Sequence, residues 1–391
     1  ILPASSHAMK LTLILNYSPA RPFGGPEGVA YDTVEGLKKN HDRLEKEDIH
    51  VHIMSSMGRG FPSVFESDEK YGNISFEYFG KIVPTAVFSD LNYYLHIKKR
   101  KDGIDLIHSH PISGAVAGSF LRIPTIFTLH GMYWKEKLHD PHLYSRLMYG
   151  DLNTCRFRYV SARVKKLIAI SPYVISEVER FLQSKMPPVE VIENPVSDIF
   201  FEQEKQEKKG LLLFPGIINP RKNQIALIKA LALLKKDQAA FHCVLPGPVT
   251  DQGYCDELRS LIKKYGLEQD VTIPGSVPFE ELLMLYRQAS ILVVTSLQET
   301  APMVISEAMA GGTPVIASRI SGIPFMVSDE NSGYLIDPRS PEEIAQKTAM
   351  LLTDDALRKK FGLESRRIAE SRWKSEVIVN KQLREYGNLV K

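Results

Sequence analysis

The chain has 391 residues, of which 43% are hydrophobic and 24% are charged, and its formal net charge is +3. This length predicts two or three domains, each large enough to bury a core without disulfides or a structural metal. Ordinary apolar content and a small net charge argue against disorder, and the weak basic excess argues against a nucleic-acid-binding protein.

The cysteine content and the start of the chain bear on the compartment. Three cysteines without a C-x-x-C pair indicate reduced thiols and a cytoplasmic protein, not a secreted disulfide scaffold. No run approaches the roughly 20 apolar residues that span a bilayer. Residues 1–8 lack the apolar core of a signal peptide, so we interpret them as a cloning remnant before a natural start at Met9.

From Met9 onward, short β-branched runs alternate with amphipathic stretches. The first of these stretches has helical spacing over Gly28–Asn40. The predicted strands of this half are Lys10–Asn16, Ile49–Met54, Ile74–Phe79, Ile104–His108, Thr125–Leu129, Leu167–Ile170 and Val189–Ile192. Continuous apolar strands that alternate with helices predict a parallel sheet covered on both faces.

The character of the sequence changes after Asn194-Pro195, a turn signal that is followed by the charged stretch Glu202–Lys209. We place the domain boundary here. Strands then resume at Leu211–Phe214, Phe241–Leu245, Val271–Ile273, Ile291–Thr295, Pro314–Ala317 and Tyr334–Ile336. The predicted helices between them are Gln224–Lys236, Cys255–Tyr265, Phe279–Gln288, Pro302–Ala310 and Pro341–Leu352. The sequence therefore predicts an α/β protein with two Rossmann-like bodies, at residues 9–195 and 196–372, and a closing helix at 373–391.

The sharpest motif follows the predicted strand Ile291–Thr295. It places Glu299 before a helix that has Pro302 near its first turn, and Glu307 eight residues further on. On one continuous helix the two glutamates would lie about 80° and roughly 12 Å apart, so we place Glu299 on the loop and Glu307 in the helix. The helix N-terminus suits a diphosphate, and two carboxylates beside it suit sugar and ribose hydroxyls. The alternative, which spacing alone leaves open, is two solvated carboxylates near an ordinary helix start.

Two turns after predicted strands carry further candidates. Arg221 and Lys222 follow the strand Leu211–Phe214 and can neutralise phosphate oxygens, although basic residues in turns are usually only solvated. Gly24 and Gly25 follow the first strand and allow close approach of the backbone to a ligand. The turn is not G-x-G-x-x-G, so a dinucleotide-binding fingerprint is absent.

Three histidines stand at the ends of neighbouring predicted strands: His108, His110 and His130. A metal centre would need further ligands and supporting hydrogen bonds, which the sequence does not supply here, so we predict no metal. Hydrogen bonding to a polar ligand and plain structural burial remain the two interpretations.

Together these residues resemble the retaining glycosyltransferases of family 4, which have the GT-B fold of two Rossmann-like domains facing a central cleft. The resemblance extends over nearly all of Met9–Lys391. It is strongest around the Glu-x7-Glu pattern of Glu299 and Glu307. Two positions differ from the family pattern: Ile217 stands where arginine is usual, and Phe325 stands where glutamate is frequent.

The resemblance implies that the second domain binds a nucleotide-diphosphate sugar, with Glu307 on the ribose and Lys222 on the diphosphate. It implies a catalytic set of Glu299, His130 and Lys222. It places the following further residues on the donor: Gly24, Gly25, Gly216, Arg221, Thr300, Ala301, Pro302, Met303 and Val304. His110, Tyr133 and Trp134 fall on the acceptor side, and the last helix returns to the first domain.

The implied reaction moves a hexose from the donor, a UDP-sugar in preference to GDP-mannose, to a hydroxyl of a glycan or lipid-linked glycan. It is a front-face transfer in polysaccharide biosynthesis that needs no cofactor. Two alternatives stay open: a nucleotide-sugar epimerase on the same fold, and a non-catalytic two-lobed sugar-binding protein.

Basic and aromatic residues are mixed in the segment 133–166, and a second basic cluster stands at Lys98–Lys101. These features suggest a peripheral contact with the anionic inner face of a membrane. A solvated helix face is the simpler alternative.

Overall fold

The computed structural model describes residues 8–18, 25–57, 64–80, 89–136, 146–183 and 186–390. The chain forms two compact units: unit 1 contains residues 1–195 and 375–391, and unit 2 contains residues 196–374. Residues 1–7 of the segment 1–8, which we interpret as a cloning remnant, and Gly24 lie outside the described residues. Within the described ranges, no helix is both long enough and apolar enough to cross a membrane.

Unit 1 is built on an eight-stranded sheet, counted over the part of the chain that the structure describes. Its strands are β1 (Met9–Leu15), β2 (Ile49–Met57), β3 (Val64–Tyr71), β4 (Ile74–Gly80), β5 (Leu106–Ser109), β6 (Thr125–Leu129), β7 (Lys166–Ala169) and β8 (Val189–Val191). They lie in the order β3-β4-β2-β1-β5-β6-β7-β8. The chain's first strand is therefore central, and the order reverses between β1 and β5.

One strand of unit 1 departs from the predicted all-parallel sheet. β3 pairs antiparallel with β4, with Phe65 opposite Tyr78 and Tyr71 opposite Ile74. A two-residue turn at Gly72-Asn73 joins the strands, and Gly72 has a φ of +51°, which glycine adopts without strain. The sequence analysis missed β3 because Glu66–Lys70 is polar and lacks the apolar run of a buried strand.

Helices cover both faces of this sheet. They are α1 (Gly25–Lys39), α2 (His41–Lys46), α3 (Ser89–Arg100), α4 (Ile112–Phe120), α5 (Tyr133–Glu136), α6 (Leu152–Ser161) and α7 (Pro172–Leu182), with a π-helical turn at Arg146–Asp151. Small residues let α4 pack closely on the sheet: a Cβ added at Gly114 would lie 2.4 Å from Ser109 Oγ, and one at Gly118 would lie 2.6 Å from Thr125 Oγ1.

Unit 2 has a six-stranded sheet in which all pairings between named strands are parallel. Its strands are β9 (Leu211–Leu213), β10 (His242–Pro246), β11 (Val271–Gly275), β12 (Ile291–Val294), β13 (Val315–Ser318) and β14 (Gly333–Ile336). They lie in the order β11-β10-β9-β12-β13-β14, so the order reverses between β9 and β12. In open parallel sheets, ligands bind beyond the carboxyl ends of the strands at such a reversal.

The helices of unit 2 are α8 (Asp198–Glu202), α9 (Gln224–Lys236), α10 (Gln252–Lys264), α11 (Phe279–Gln288), α12 (Met303–Ala310), α13 (Pro341–Thr353) and α14 (Asp355–Arg372). Several begin at side-chain caps. Asp251 accepts a hydrogen bond from the Tyr254 amide at 2.9 Å, and Asp354 accepts one from the Leu357 amide at 2.8 Å. Such caps satisfy amides that have no acceptor in the first helical turn.

The last helix, α15 (Ser375–Val390), belongs to unit 1. It buries Ile378, Val379, Leu383 and Tyr386 in the same apolar cluster as β1 and α1. Gly36 of α1 permits this packing, because a Cβ there would lie only 3.0 Å from side-chain atoms of Ser375 and Val379.

Candidate functional site

The two turns at the strand reversal of unit 2 are tied to each other by hydrogen bonds. The Leu297 amide, beyond β12, donates to the Arg221 carbonyl, beyond β9, at 2.8 Å. Asn223, in the left-handed region with a φ of +55°, donates through its side chain to the Thr295 carbonyl at 3.1 Å. Thr295 Oγ1 donates in return to the Asn223 carbonyl at 2.9 Å. The turns therefore form one cross-linked surface at the carboxyl edge of the sheet.

Glu299 lies on this surface as the centre of a charged group. Lys222 Nζ donates to Glu299 Oε1 at 2.5 Å, and Arg221 Nη1 lies 3.4 Å from Glu299 Oε2. Burial raises the pKa of Glu299, but the Lys222 and Arg221 cations outweigh burial and leave the pKa below its usual value of 4.5. Glu299 is therefore a carboxylate at neutral pH, and the three groups together carry one net positive charge.

Glu307 has a different environment in α12. Its Oε2 accepts a hydrogen bond from the hydroxyl of Tyr286 at 2.6 Å, and both side chains are buried. Burial and the neighbouring Glu307 raise the pKa of Tyr286 well above its usual value, so the phenol keeps its proton and donates. The two glutamates thus differ in their hydrogen-bond partners: cations hold Glu299, and a neutral hydroxyl donates to Glu307.

The start of α12 lies between the two glutamates in the sequence. Pro302 occupies the N-cap position in an extended conformation, so the helix begins at Met303, one residue later than predicted. The first amides of a helix have no intrahelical acceptor, which leaves those of Met303 and Val304 available to an anion. Pro302 has no amide proton and therefore contributes no donor to this helix start.

A glycine pair keeps the backbone beyond β9 close to the neighbouring strand. Gly216 and Gly247 have φ values of +149° and +150°. A Cβ on Gly247 would lie 2.0 Å from the Gly216 carbonyl oxygen, and one on Gly216 would lie 3.8 Å from Lys222 Nζ. Gly216 therefore leaves the space beside the lysine head group open.

Unit 1 carries its own candidate residues at the carboxyl ends of β5 and β6, next to the reversal in its sheet. His110 Nδ1 and His130 Nε2 share a hydrogen bond of 2.8 Å. His108 contacts the Tyr386 hydroxyl through Nδ1 at 2.6 Å and Thr128 Oγ1 through Nε2 at 2.7 Å. Among the residues that the structure describes, no group of three or more such side chains could hold a metal.

Removal from water dominates the protonation of this histidine cluster, which we define as His108, His110 and His130. Burial lowers the pKa of His108 to about 3 and the pKa of His130 to about 4. Burial, with the two neighbouring histidines, lowers the pKa of His110 well below 6.5. The three imidazoles are neutral at pH 7 and can hydrogen-bond as donors and acceptors without charge.

The remaining predicted site residues are divided between the two units. Gly25 begins α1 in unit 1 with a φ of +68°. Trp134 stacks on Phe181 at 4.2 Å between ring centroids, and Tyr133 is the first residue of α5. Thr300 and Ala301 lie on the loop before α12 in unit 2.

Two residues of the site were missed from the sequence. Tyr286 gives no local signal, because it is one apolar-face residue of α11 and its contact with Glu307 spans 21 positions. Asn219 could have been recognised, since an asparagine before Pro220 is a turn signal. Its side chain accepts a hydrogen bond from the Lys222 amide at 3.1 Å and so fixes the turn that presents the lysine.

Two units with mainly parallel sheets and polar turns at the strand reversals define a protein of the GT-B fold. The family described as glycosyl transferases group 1 matches residues 196–368, and Glycosyltransferase Family 4 matches residues 23–198. The chain belongs to the family 4 glycosyltransferases.

Relatives and solved structures agree with this assignment. The chain is 28% identical to an uncharacterized glycosyltransferase of Methanocaldococcus jannaschii, over 85% of this chain and 89% of the relative. It is 28% identical to a D-inositol 3-phosphate glycosyltransferase of Corynebacterium glutamicum, over 68% of each chain.

The fold is similar to that of sucrose-phosphate synthase from Thermosynechococcus elongatus, with a TM-score of 0.75, 21% identity, and coverage of 97% of this chain and 99% of the other. It is also similar to Anabaena HepE in complex with UDP, with a TM-score of 0.69, 20% identity, and coverage of 96% and 98%.

Proposed function

We propose that this glycosyltransferase is a retaining enzyme that moves a hexose from a nucleotide-diphosphate sugar to a hydroxyl acceptor by front-face transfer. The observation that carries the proposal is the ion-pair group of Lys222, Arg221 and Glu299, next to the start of α12. This group has one net positive charge, and the helix that begins four residues after Glu299 has first-turn amides without an intrahelical acceptor; a diphosphate is bound by chemistry of this kind.

The proposed mechanism assigns most of the catalysis to the leaving group. Negative charge grows on the diphosphate as the glycosidic bond breaks, and preorganised cations and amides stabilise it without reorganisation. We assign the larger part of this stabilisation to Lys222 and the smaller part to Arg221, since Lys222 Nζ is the closer of the two cations to Glu299 and its side chain is nearly buried. In front-face transfer the departing phosphate oxygen takes the acceptor's proton, so the enzyme supplies no separate base.

The two glutamates have different proposed roles. Glu307 holds the ribose hydroxyls, and the neutral Tyr286 hydroxyl, which donates to Glu307 Oε2 at 2.6 Å, orients the carboxylate for them. Glu299 orients the donor sugar and keeps Lys222 in place. His130 contacts the sugar, and His110, Tyr133 and Trp134 lie on the acceptor side.

The proposed donor is a UDP-sugar, and GDP-mannose is the second choice. Complexes of HepE with UDP and with UDP-glucose support a uridine donor for a protein of this fold. The proposed acceptor is a glycan or lipid-linked glycan in polysaccharide biosynthesis. We also propose a cytoplasmic enzyme that requires no metal.

The test is a thermal-shift panel of UDP-, GDP-, ADP- and dTDP-sugars, followed by assay of released nucleoside diphosphate with and without acceptors. Release that depends on an acceptor, with retained anomeric configuration in the product, supports the proposal. Donor interconversion without release would indicate an epimerase. Binding without any turnover would indicate a sugar-binding protein.

A further inference from the structure

The basic and aromatic segment 133–166 is one of two surfaces of unit 1 that could contact a membrane. Three of the described cations of that segment pair with carboxylates of the same unit, whereas Arg158, Arg163 and Lys165 are exposed. Lys135 pairs with Glu177 at 2.5 Å, Arg156 pairs with Asp90 at 2.9 Å, and Lys166 pairs with Glu385. Cations that are committed to carboxylates of their own domain contribute little to an external surface.

A different set of side chains projects from α3 and α4. Leu91, Leu95 and Phe120 are 43%, 37% and 67% exposed, which is unusual for large apolar residues on neighbouring elements. Leu91 and Leu95 are one helical turn apart and share one face of α3. Tyr94, on the same helix, contacts the ring of Phe120 edge-on at 5.7 Å between centroids, so the two helices form one continuous apolar surface.

Cations lie at the C-terminal ends of α3 and α4. Lys98 lies 5.6 Å from the ring centroid of Tyr94, and Lys99, Lys101 and Arg122 are also exposed. Within the described ranges none of these four cations forms an ion pair. We define the α3–α4 patch as these cations together with Leu91, Tyr94, Leu95 and Phe120.

The acidic groups near the patch are fewer or already occupied. Asp90 is held by Arg156, and Glu77 is held by Arg100 at 2.8 Å. Asp102 and Asp105 are exposed nearby, and Asp105 accepts a hydrogen bond from the Lys10 amide. The charge that remains on the outer face of α3 is therefore positive.

We propose that the α3–α4 patch is the surface by which this protein docks on an anionic lipid membrane. Leucine and aromatic side chains beside lysines, on the outer face of a helix, match the boundary between acyl chains and acidic headgroups. Lysines near such a surface are attracted electrostatically, and the attraction weakens as salt shortens the Debye length. The inference does not depend on the proposed transfer reaction.

The test is co-sedimentation of the full chain with vesicles that contain phosphatidylglycerol, compared with vesicles of phosphatidylcholine alone. We expect binding to the anionic vesicles at about 0.05 M salt, with a loss on the order of 10-fold at about 0.5 M salt. We expect the triple variant Leu91→Ser, Leu95→Ser and Phe120→Ser to bind on the order of 10-fold more weakly, and Lys98→Glu with Lys99→Glu to abolish the salt-sensitive part.

Matched controls lie in unit 2 on α14. Leu363 is 74% exposed and Lys359 and Lys360 are exposed, so Leu363→Ser and Lys359→Glu with Lys360→Glu repeat the same chemical changes elsewhere. These variants should bind vesicles like the unmodified chain.

Any of three outcomes overturns the proposal. One is equal vesicle binding by the patch variants and the unmodified chain, and another is no binding by the unmodified chain at low salt. The third is concentration-dependent dimerisation, measured by light scattering, that the triple variant abolishes while vesicle binding is absent. In that case the surface serves a second copy of the chain.

Discussion

Several local interactions together fix the position of Lys222. The Asn219 side chain caps its amide, the Gly216 backbone leaves room beside its head group, and Glu299 holds its Nζ at 2.5 Å. The ammonium is therefore in place before any ligand arrives. Preorganisation of this kind is what makes a cation effective on a charge that develops only during reaction.

We expect Lys222→Ala to lower kcat on the order of 10²-fold or more, because the leaving diphosphate loses its nearest cation. Steady-state rates of nucleoside diphosphate release measure the effect. Lys229→Ala, at an exposed position of α9, is the matched control and should be near normal. Full activity of the Lys222 variant would contradict the assigned role.

Tyr286 is a positioning residue: we expect it to affect donor binding through its hydrogen bond to Glu307. Hydrogen bonds to charged groups contribute about 1.5–3 kcal/mol, so we expect Tyr286→Phe to weaken donor binding by roughly 10-fold while kcat changes little. Titration calorimetry with the donor found by thermal shift gives the affinity.

Two comparisons separate this effect from general damage. Tyr254→Phe removes a hydroxyl that accepts a hydrogen bond from the Ile225 amide, and it should leave donor binding unchanged. In a Glu307→Gln background, Tyr286→Phe should cost much less than in the unmodified chain. Equal costs in both backgrounds would show that the tyrosine does not act through Glu307.

At the scale of elements, the histidine cluster ties β5 and β6 to each other and, through His108 and Tyr386, to α15. The pKa values of His108 and His130 in the folded protein lie below the unfolded value of 6.5. Between these values, the unfolded chain binds protons at both histidines and the folded protein does not. The free energy of unfolding should therefore fall as pH drops from about 6.5 toward 4, by about 1.4 kcal/mol per pH unit for each such histidine.

Denaturant unfolding at a series of pH values measures this slope. His108→Gln should make the slope of the unfolding free energy against pH shallower, because it removes one histidine whose pKa is lowered by folding. His50→Gln, at an exposed position, is the comparison variant. An identical slope in the His108 variant would rule out burial of His108 as a source of acid sensitivity.

Apolar periodicity predicted the elements well and the contacts between them poorly. Gln224–Lys236 and Phe279–Gln288 have the predicted bounds, and Thr125–Leu129 is a strand as predicted. β3 was missed because its polar residues do not show the pattern of a buried strand. Tyr286 was missed because side-chain pairing across 21 positions depends on packing, which no local spacing encodes.

At the scale of the whole molecule, α15 completes unit 1 although unit 2 precedes it in the chain. Leu383 is fully buried in that unit. We expect Leu383→Ala to cost about 2–5 kcal/mol, because it leaves a cavity under α1. Hydrogen exchange should accelerate in unit 1 and remain unchanged in unit 2. Leu363→Ala, at an exposed position of α14, is the control, and uniform acceleration across both units would contradict the assignment of α15 to unit 1 alone.

The discontinuous composition of unit 1 also has a consequence for synthesis on the ribosome. Residues 196–374 are contiguous and can reach their native state as soon as they leave the exit tunnel. Unit 1, in contrast, cannot be completed until α15 has been translated. Until then, the apolar surface of α1 that contacts α15 stays exposed. A chaperone that shields nascent apolar surface should therefore matter more for the first half of this protein than for the second.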